Sequence, residues 1–555
     1  ADLARPPGVQ SSSPNYLQAL DGVLYFAAWG DDGREPWSSD GTEAGTEQLA
    51  DVRPGSAGSD PRTLTVFGTS ILFSAEGETG GERDGSELWI TDGTALGTEA
   101  VTTTEEFSSD VEAIAFLGST GFLVADDSVH GVELWLSDGS PGGTTLVDLY
   151  PGVEGSLPEH LVDFDGRMFF VATDDTHGRE LWVSDGTVDG TMRFADLAPG
   201  SDSSSPEALT VVGDRLFFAA DDEIHGRELW MSDGTVGGTE QLKDLDGNSS
   251  SSSPSQLTPV GSRFFFTAED EAHGHELWVS DGTAVGTVLV SDLRAGSSGA
   301  SPEHLTDVEG VLYFTADDGV DGRELWTSDG TALGTVQVAD LRSGSIGSYP
   351  EDLTAFGALV AFTADDGLVG RELWVSDGTE GGTVLLADIV DGFGADPSDL
   401  VVHDGLLFFA ADETTTGIEL WRSDGTPAGT SLFLDLLPGP ADGRPSDLVS
   451  NGETLFFAAA DVEHGRELWS SDGTVEGTTR RGDTWPGRAD SDPTLLTPSS
   501  DGAWLYFVAW TEATWQEPFS LDLTAAIFAD GFEDGGAGGW SGSTGLSTRR
   551  LTARR

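Results

Sequence analysis

The chain has 555 residues, no cysteine and a single lysine, Lys243. Without cysteine it can form no disulfide bond, no thiolate metal site and no cysteine nucleophile. It also has only three methionines, and it lacks the run of about 18 consecutive apolar residues that a membrane-spanning helix requires. These absences exclude thiol chemistry, and we expect no insertion into a membrane.

Basic residues are also scarce. The sequence has 97 Asp and Glu residues against 26 Lys and Arg residues, which gives a formal net charge of -71. Such a surface repels phosphate backbones and anionic lipid, so we expect no nucleic-acid partner. The charged partners that remain are cations, namely salt, Ca²⁺ or a basic polymer.

The residues that are abundant indicate an all-β protein. Glycine is frequent at 75 residues, tryptophan reaches 16, and 37% of the chain is hydrophobic. This balance is typical of many short strands joined by tight turns and supports a large buried core. The chain begins at Ala1 rather than Met, as a mature chain does after signal-peptide removal, although a trimmed chain would look the same. We expect a secreted or cell-surface protein.

A Glu-x-aromatic motif recurs along nearly the whole chain. Its eleven copies are spaced 46 to 52 residues apart, as Glu35/Trp37, Glu87/Trp89, Glu133/Trp135, Glu180/Trp182, Glu228/Trp230, Glu276/Trp278, Glu324/Trp326, Glu372/Trp374, Glu419/Trp421, Glu467/Trp469 and Glu517/Phe519. A fixed period of this length is typical of repeat architectures. A catalytic site is needed once, whereas a scaffold is needed in every repeat.

One repeat, residues 305–341, predicts four antiparallel strands. We expect strands at 305–308, 311–316, 323–328 and 335–341, separated by the turn Glu309-Gly310, a turn at 319–322 and the turn Asp329-Gly330. A linker rich in Gly, Ser and Pro then leads to the next repeat.

The strands are apolar on both faces, so each small sheet must be covered on both sides, as the blades of a β-propeller are. The sequence therefore predicts a β-propeller or propeller-like array of about eleven four-stranded antiparallel blades. Two smaller propellers in one chain are the alternative. We divide the chain into an N-terminal segment at 1–16, the repeats at 17–532 and a Gly-rich, Arg-ended tail at 533–555.

The consensus Glu-Leu-Trp-x-Ser-Asp-Gly-Thr, exact in "GRELWVSDGT" at 178–187 and 370–379, resembles the ELWxxDGT repeat family of exported and surface proteins of bacteria. The resemblance covers about residues 17–532. It implies a repeat scaffold at the cell exterior and carries no established activity.

We interpret the motif residues as a structural repeat core. The acid is expected to accept backbone or Arg hydrogen bonds at the blade rim, the Trp to fill the gap between blades, and the Asp to cap a tight turn. The clearest copies are Glu180, Trp182 and Asp185; Glu228, Trp230 and Asp233; and Glu324, Trp326 and Asp329.

No catalytic residues are predicted. Histidine recurs at one turn position (His130, His177, His225, His273 and His464), but other repeats place Asp321, Val369 or Thr416 there, which acid-base catalysis would not tolerate. No nucleophile elbow, zinc-helix motif or phosphate loop is present. Acidic turns offer the oxygen ligands that Ca²⁺ prefers, so a Ca²⁺ site is a candidate at Asp221, Asp222, Asp317, Asp318 and Asp321.

The two end repeats share departures from the consensus. Both replace Leu by Pro, at Pro36 and Pro518, and both place Trp where the second strand normally ends in Asp, at Trp29 and Trp510. These changes favour contact between the ends, which either closes a ring within a chain or joins chains. Residues 525–532 are a candidate fourth strand for the last repeat, and a basic tail follows. The predicted self-association residues are Trp29, Pro36, Trp510, Pro518, Ala525, Phe528, Phe532, Arg549 and Arg550.

These features predict a non-enzymatic, extracellular structural or adhesive scaffold that self-associates head to tail into oligomers or filaments, with an extracellular polymer or cell-surface partner. A Ca²⁺- or ligand-binding recognition module is the second possibility. A hydrolase or lyase with its site at the ring centre is the third.

Overall fold

The computed structural model describes residues 14–522 and 548–550, with gaps at 21, 31, 40–44, 54–57, 68, 80–81, 95–96, 102–109, 127–128, 139–142, 482–489, 499–503 and 511–515. Apart from three short 3₁₀ turns, the regular elements of these residues are all β-strands. The strands form eleven antiparallel sheets of four strands each.

Each sheet takes four strands in chain order. Sheets one to four contain β1 (Asn15–Leu20), β2 (Val23–Gly30), β3 (Gly33–Ser39), β4 (Thr46–Gln48), β5 (Arg62–Phe67), β6 (Ser70–Thr79), β7 (Glu82–Thr91), β8 (Glu99–Ala100), β9 (Asp110–Leu117), β10 (Thr120–Asp126), β11 (Val132–Ser137), β12 (Thr144–Val147), β13 (Glu159–Phe164), β14 (Arg167–Asp174), β15 (Gly178–Ser184) and β16 (Met192–Ala195). Sheets five to eight contain β17 (Glu207–Val212), β18 (Arg215–Asp221), β19 (Arg227–Ser232), β20 (Thr239–Lys243), β21 (Ser255–Val260), β22 (Arg263–Asp270), β23 (Gly274–Ser280), β24 (Val288–Leu289), β25 (Glu303–Val308), β26 (Val311–Asp317), β27 (Arg323–Ser328), β28 (Val336–Gln337), β29 (Glu351–Phe356), β30 (Leu359–Asp365), β31 (Arg371–Ser376) and β32 (Val384–Leu385).

Sheets nine to eleven contain β33 (Ser398–His403), β34 (Leu406–Glu413), β35 (Gly417–Ser423), β36 (Ser431–Leu434), β37 (Ser446–Ser450), β38 (Leu455–Asp461), β39 (Gly465–Ser471), β40 (Thr479–Arg480), β41 (Thr494–Pro498), β42 (Trp504–Trp510), β43 (Gln516–Asp522) and β44 (Thr548–Arg550). The 3₁₀ turns are Val236–Gly238, Glu380–Gly382 and Pro427–Gly429, each before the fourth strand of its sheet.

The seventh repeat shows why the sequence folds into such a sheet. Glu309 (φ 50°) and Gly310 (φ 88°) both adopt the left-handed conformation that a two-residue hairpin turn needs, and they join β25 to β26. The strand β26 is apolar on both faces and pairs with β27 over the whole length of β27, with Leu312 opposite Ser328 and Asp317 opposite Arg323. The predicted third strand, 323–328, is confirmed to the residue.

The fourth strand is shorter than predicted. We expected 335–341, whereas β28 is Val336–Gln337. Val338 still donates its N–H to Leu325 O at 2.8 Å. Leu341, however, donates its N–H to the side chain of Glu324 at 3.3 Å instead of to the neighbouring strand. The chain leaves the sheet early because the buried carboxylate takes over its backbone donors.

Successive sheets share hydrophobic cores. Trp326 and Phe314 of the seventh sheet pack with Phe265 and Leu277 of the sixth, whereas Leu325 of the seventh packs with residues of the eighth. Equivalent cores join each pair of neighbours from sheets one and two to sheets nine and ten. Within the described residues, no break divides this series, so it is a single array rather than two smaller propellers.

The fold is therefore an all-β propeller-like array. The first strands of consecutive sheets contact one another from β1 through β41, which places them on the inner side of the array. Ten sheets are each built from one contiguous repeat. The eleventh is completed by β44, which pairs with β43 and is separated from it by residues 523–547.

Candidate functional site

The recurrent glutamate lies at the centre of the most regular side-chain arrangement in the protein. Glu324 is fully buried, and its carboxylate accepts hydrogen bonds from the backbone N–H groups of Leu341 (3.3 Å), Arg342 (3.2 Å) and Ser348 (2.8 Å). The hydroxyl of Ser348 donates a further bond at 2.5 Å. All these donors belong to the linker that leads to the next sheet. We call this arrangement the linker clamp.

The linker clamp recurs with the same spacing in other repeats. Glu180 accepts from Leu197, Ala198 and Ser204, and Glu228 accepts from Leu245 and Ser252. Described carboxylates at this position are all fully buried, namely Glu35, Glu133, Glu180, Glu228, Glu276, Glu324, Glu372, Glu419 and Glu467. The acid is thus inside the array rather than at the blade rim, and the bonds resolved for it come from linker backbone and serine rather than arginine.

Burial shifts the titration of these carboxyl groups. It raises the pKa of Glu324 to about 7, even though the bonds from Ser348 and the linker backbone act in the opposite direction. The same cause raises the pKa of Glu372 to about 8. A carboxyl group removed from water favours its neutral form, and each hydrogen bond to the carboxylate recovers part of the lost solvation.

The linker also contacts the following sheet. Ser348, which donates to Glu324, accepts a hydrogen bond at its carbonyl oxygen from the backbone N–H of Asp365 in β30, at 2.9 Å. Arg342 of the same linker forms an ion pair with Asp365 at 2.5 Å. Each linker clamp therefore ties the third strand of one sheet to the second strand of the next.

The arginine before the glutamate reaches in the other direction. Arg323 Nη2 donates to the carbonyl oxygen of Ser301, in the preceding linker, at 2.9 Å, and Arg323 Nη1 lies 3.3 Å from Glu303 Oε2. Arg371 repeats both contacts, with Tyr349 O at 2.9 Å and Glu351 at 3.3 Å. The Arg-Glu pair of the motif thus holds the linkers on both sides of its repeat.

The Ser-Asp-Gly-Thr segment forms a turn whose polar groups bond mainly to one another. Asp329 Oδ1 accepts from the N–H and the hydroxyl of Thr331, at 2.8 and 2.7 Å. Thr335 Oγ1 donates to Thr331 O at 2.8 Å and lies 2.7 Å from Ser328 Oγ. The same bonds surround Asp185 and Asp233, and in each case the threonine hydroxyl bond lowers the pKa of the aspartate.

The tryptophans line the interfaces between sheets. Trp182 and Trp230 are almost fully buried, and their Nε1 groups donate to Ala172 O and Ala220 O, both at 3.0 Å. Trp326 stacks on Phe314 with ring centroids 6.4 Å apart. These positions match the gap-filling role expected of them.

Four of the turn histidines pair with an aspartate three residues earlier. His225 Nδ1 lies 2.6 Å from Asp222 Oδ2, and His273 Nδ1 lies 2.7 Å from Asp270 Oδ2. The hydrogen bond that the ring donates to the aspartate raises the pKa of both histidines. His177 and His464 each have an equivalent aspartate neighbour, Asp174 and Asp461 respectively.

Four of the five candidate Ca²⁺ ligands act as turn caps. Asp222 Oδ1 accepts from the N–H groups of Ile224 and His225, and Asp318 Oδ1 accepts from those of Val320 and Asp321. Asp221 and Asp317 cap Glu223 N and Gly319 N, and Asp317 also pairs with Arg294 at 2.9 Å. Among the described residues, no three His, Asp or Glu side chains converge as a metal site would require.

The predicted self-association residues divide into three sets. Trp29 is half-buried. Pro36 is buried in β3 on the side of β4, and the pairing of β3 with β4 ends at Gln48, opposite Trp37. The missing N–H of Pro36 therefore breaks no strand pair, and this residue offers no surface to a second copy.

Trp510 and Pro518 pair with Gln516 and Val508, and Arg549 and Arg550 lie in β44 opposite Ser520 and Phe519. Ala525, Phe528 and Phe532 lie outside the described residues, as does the candidate fourth strand at 525–532.

The sequence pattern does not reveal one recurrent feature, a bulge in the first strand of each sheet named below. The second residue of the first strand has a left-handed backbone and a register shift follows it, as at His160 (φ 56°), His304 (φ 57°) and Asp352 (φ 56°). Two cavities lie between neighbouring first strands. One of about 380 Å³ is lined by His304, Leu305, Thr306, Glu351, Asp352 and Leu353, and one of about 450 Å³ is lined by Ala113, Ala115, Val124, Pro158, Glu159, His160 and Leu161. Non-glycine residues at these positions hide the bulge from sequence patterns, because glycine is the usual signal.

No family model matches the chain, and no curated protein does. Solved structures that resemble it include the computationally designed Ika8 protein, with 17% identity, a TM-score of 0.29, and coverage of 66% of this chain and 97% of that one. The tricorn protease has 13% identity and a TM-score of 0.26, and the match covers 93% of this chain and 50% of the protease. The β-propeller domain of the Trilobed protease from Pyrococcus furiosus has 13% identity and a TM-score of 0.26, over 59% of this chain and 97% of that domain. Likeness at this level transfers neither an activity nor a substrate.

Within the described part of the chain, no helix is long and apolar enough to span a membrane.

Proposed function

We propose that the chain is a non-enzymatic repeat scaffold that works outside the cell as a structural or adhesive component. The linker clamp carries the proposal. The residues that make the motif resemble a chemical site, Glu324, Ser348 and Asp329 in the seventh repeat, have their polar groups engaged in holding strands, linkers and turns together. A side chain whose oxygens are occupied by its own backbone in repeat after repeat serves the array.

The extracellular location of this scaffold rests on the resemblance to exported ELWxxDGT repeat proteins. Protease added to intact cells of the source organism should cleave an epitope-tagged chain, while a cytoplasmic marker stays intact. Protection of the tagged chain until the cells are lysed would contradict the location.

The non-enzymatic role has its own test. Purified protein should turn over no ester, peptide, glycoside or uronic-acid polymer above background. Turnover that disappears on Asp352→Asn or His304→Ala, at the 380 Å³ cavity between β25 and β29, would instead establish a site on the inner strands.

The proposal includes head-to-tail self-association, restricted to association by exchange of a chain segment. In inner sheets, the residues equivalent to Leu24, Phe26, Ala28 and Trp37 face the preceding sheet. In the first sheet these four side chains are 0 to 3% exposed in a single copy of the chain. Association through this face therefore requires two copies to exchange the chain segment that covers it, as in domain swapping.

Such exchange is slow and depends on concentration, because a covered face must first open. Light scattering should show oligomers that grow after incubation at high protein concentration or mild denaturant, and little immediate association on dilution or mixing. A strictly monomeric protein after that incubation would remove self-association from the proposal.

A further inference from the structure

The linkers and the turns between second and third strands lie on one face of the array. Five large apolar residues of the seventh and eighth repeats are exposed there: Val320 (67%), Ile346 (60%), Tyr349 (50%), Leu368 (80%) and Phe393 (74%). We call them the apolar patch. Polar residues Asp202, Ser250 and Ser298 stand at the linker position of Ile346 in the fourth, fifth and sixth repeats. Exposed apolar residues that cluster mark interaction sites more often than isolated ones.

The segments that carry the apolar patch lie side by side. The turn 317–322 touches the linker that follows, since a Cβ on Gly322 would collide with the backbone of Ile346 and Gly347. That linker in turn contacts the next turn through the Arg342–Asp365 ion pair at 2.5 Å. Turn 365–370 then meets the following linker, where a Cβ on Gly370 would collide with Gly394. The segments that carry the five apolar side chains therefore form one strip across two repeats.

The strip continues into a cavity. Tyr349 lies two residues before Glu351, which with Asp352 forms one wall of the 380 Å³ cavity between β25 and β29. Glu351 and Asp352 are both exposed, and His304 and Thr306 line the opposite wall. A ligand on the apolar patch would thus reach the carboxylate of Asp352 at its inner end, next to the Glu351–Arg371 ion pair.

The charge of this face selects the sign of the partner. Segments 317–322, 342–353, 365–370 and 389–396 together hold nine acidic residues and one basic residue, Arg342. Two arginines from outside these segments, Arg294 and Arg371, pair with Asp317 and Glu351, and the face still has an excess of negative charge. A second copy of the chain, with a net charge of -71, is repelled from such a face, and so is anionic lipid. A partner that buries the apolar patch must bring positive charge to its rim.

We propose that this face binds a basic, apolar polypeptide segment, which lays aliphatic or aromatic side chains on the apolar patch and places a lysine or arginine beside Asp352. A polypeptide fits because its alternating side chains match a strip with separate apolar and acidic parts. The inference names a partner class for the proposed scaffold and rests on that role for its biological setting. Binding by the purified protein is measured apart from cell-surface location.

The test uses full-length protein and a fluorescent synthetic peptide of alternating leucine and arginine, followed by fluorescence anisotropy. The double variant Leu368→Ser/Phe393→Ser should weaken binding at least about tenfold, as loss of central apolar contacts does. The control Val285→Ser/Leu333→Ser removes two apolar side chains that are 90% and 96% exposed on the Asp-Gly-Thr turns, and it should leave binding unchanged. Asp352→Asn should weaken binding and flatten its salt dependence.

Several results would overturn the inference. A leucine-glutamate peptide that binds as well as the leucine-arginine peptide would show that charge does not select the partner. Equal loss in the patch and control variants would show that the apolar patch is not the site. Patch-dependent binding of phosphatidylcholine vesicles without peptide binding would assign the face to lipid, and patch-dependent oligomers without peptide binding would assign it to a second copy.

Discussion

Ser348 donates its hydroxyl hydrogen to Glu324 Oε2 at 2.5 Å, across 24 residues of sequence and the gap between two sheets. In the next repeat Ala395 takes the place of the serine, and Glu372 Oε2 has no hydrogen-bond partner among the described residues. Ala300 and Glu276 repeat this difference in the sixth repeat. The protein thus contains both versions of one buried interaction.

Restoring the missing hydroxyl should stabilise the array. We expect Ala395→Ser to raise the free energy of unfolding by about 1 kcal/mol, and Ser348→Ala to lower it by about 1 to 3 kcal/mol because it leaves a buried carboxylate oxygen unpaired. Differential scanning calorimetry measures both. Ser298→Ala, at an exposed linker position, is the control and should be silent. A destabilising Ala395→Ser would show that the site has no room for the hydroxyl.

Stability should fall as the pH rises from about 5 to 8. The buried carboxyls have a pKa raised from 4.5 to about 7 at Glu228, Glu276, Glu324 and Glu419, and to about 8 at Glu35 and Glu372. Below 4.5 these groups are protonated in both states. Above it, the unfolded chain ionises first, so stability is lost until the pH passes the folded pKa.

Melting temperatures across this range, in high NaCl to screen self-repulsion, measure that slope. Glu372→Gln should make it shallower, because one raised carboxyl is removed. A melting temperature that rises between pH 5 and 8 would contradict the direction assigned to these groups.

The interface tryptophans should matter far more than the turn histidines. Trp326→Ala should cost about 3 to 5 kcal/mol, since it empties a core position between two sheets. His225→Ala should change stability little, because the Asp222–His225 pair lies at the surface. Calorimetry measures the loss of stability in the two variants. A histidine variant that melts below the tryptophan variant would be inconsistent with this assignment.

Close contact between turn and linker should depend on glycine at 322. Gly322 and Gly310 both have left-handed backbones, at φ 77° and 88°, but only at Gly322 would a Cβ meet backbone, whereas nothing lies within 4 Å of one at Gly310. Gly322→Ala should therefore cost about 1 to 3 kcal/mol more than Gly310→Ala, which carries the conformational strain alone. Limited proteolysis of the 342–349 linker should accelerate in the first variant and stay normal in the second.

Added salt should stabilise the protein without preference for calcium. In the candidate Ca²⁺ turns, Asp222 and Asp318 already cap backbone N–H groups. Added cations should therefore act by screening the self-repulsion of a chain with a net charge of -71. NaCl and CaCl₂ at matched ionic strength should raise the melting temperature equally, and EDTA should have no effect. A rise specific to micromolar Ca²⁺ would establish a site.

The amino-acid sequence by itself determined the repeat, the all-β class and the strand pattern. Regular Glu-x-Trp spacing and Gly-containing turns locate β26 and β27 within one residue, because turn chemistry and short apolar runs depend on a few neighbouring residues. The same local signals identify Asp329 as a turn residue.

Only the tertiary structure decided where the glutamate lies and what it holds. Its partners, Leu341, Arg342 and Ser348, stand 17 to 24 residues later in a linker that reads as irregular, and they meet Glu324 only when the linker folds back against the sheet. The short fourth strand, the left-handed residues of the inner strands and the continuity of the apolar patch have the same origin. Each depends on contacts between segments that are remote in sequence, and such contacts leave no periodic signal in the chain.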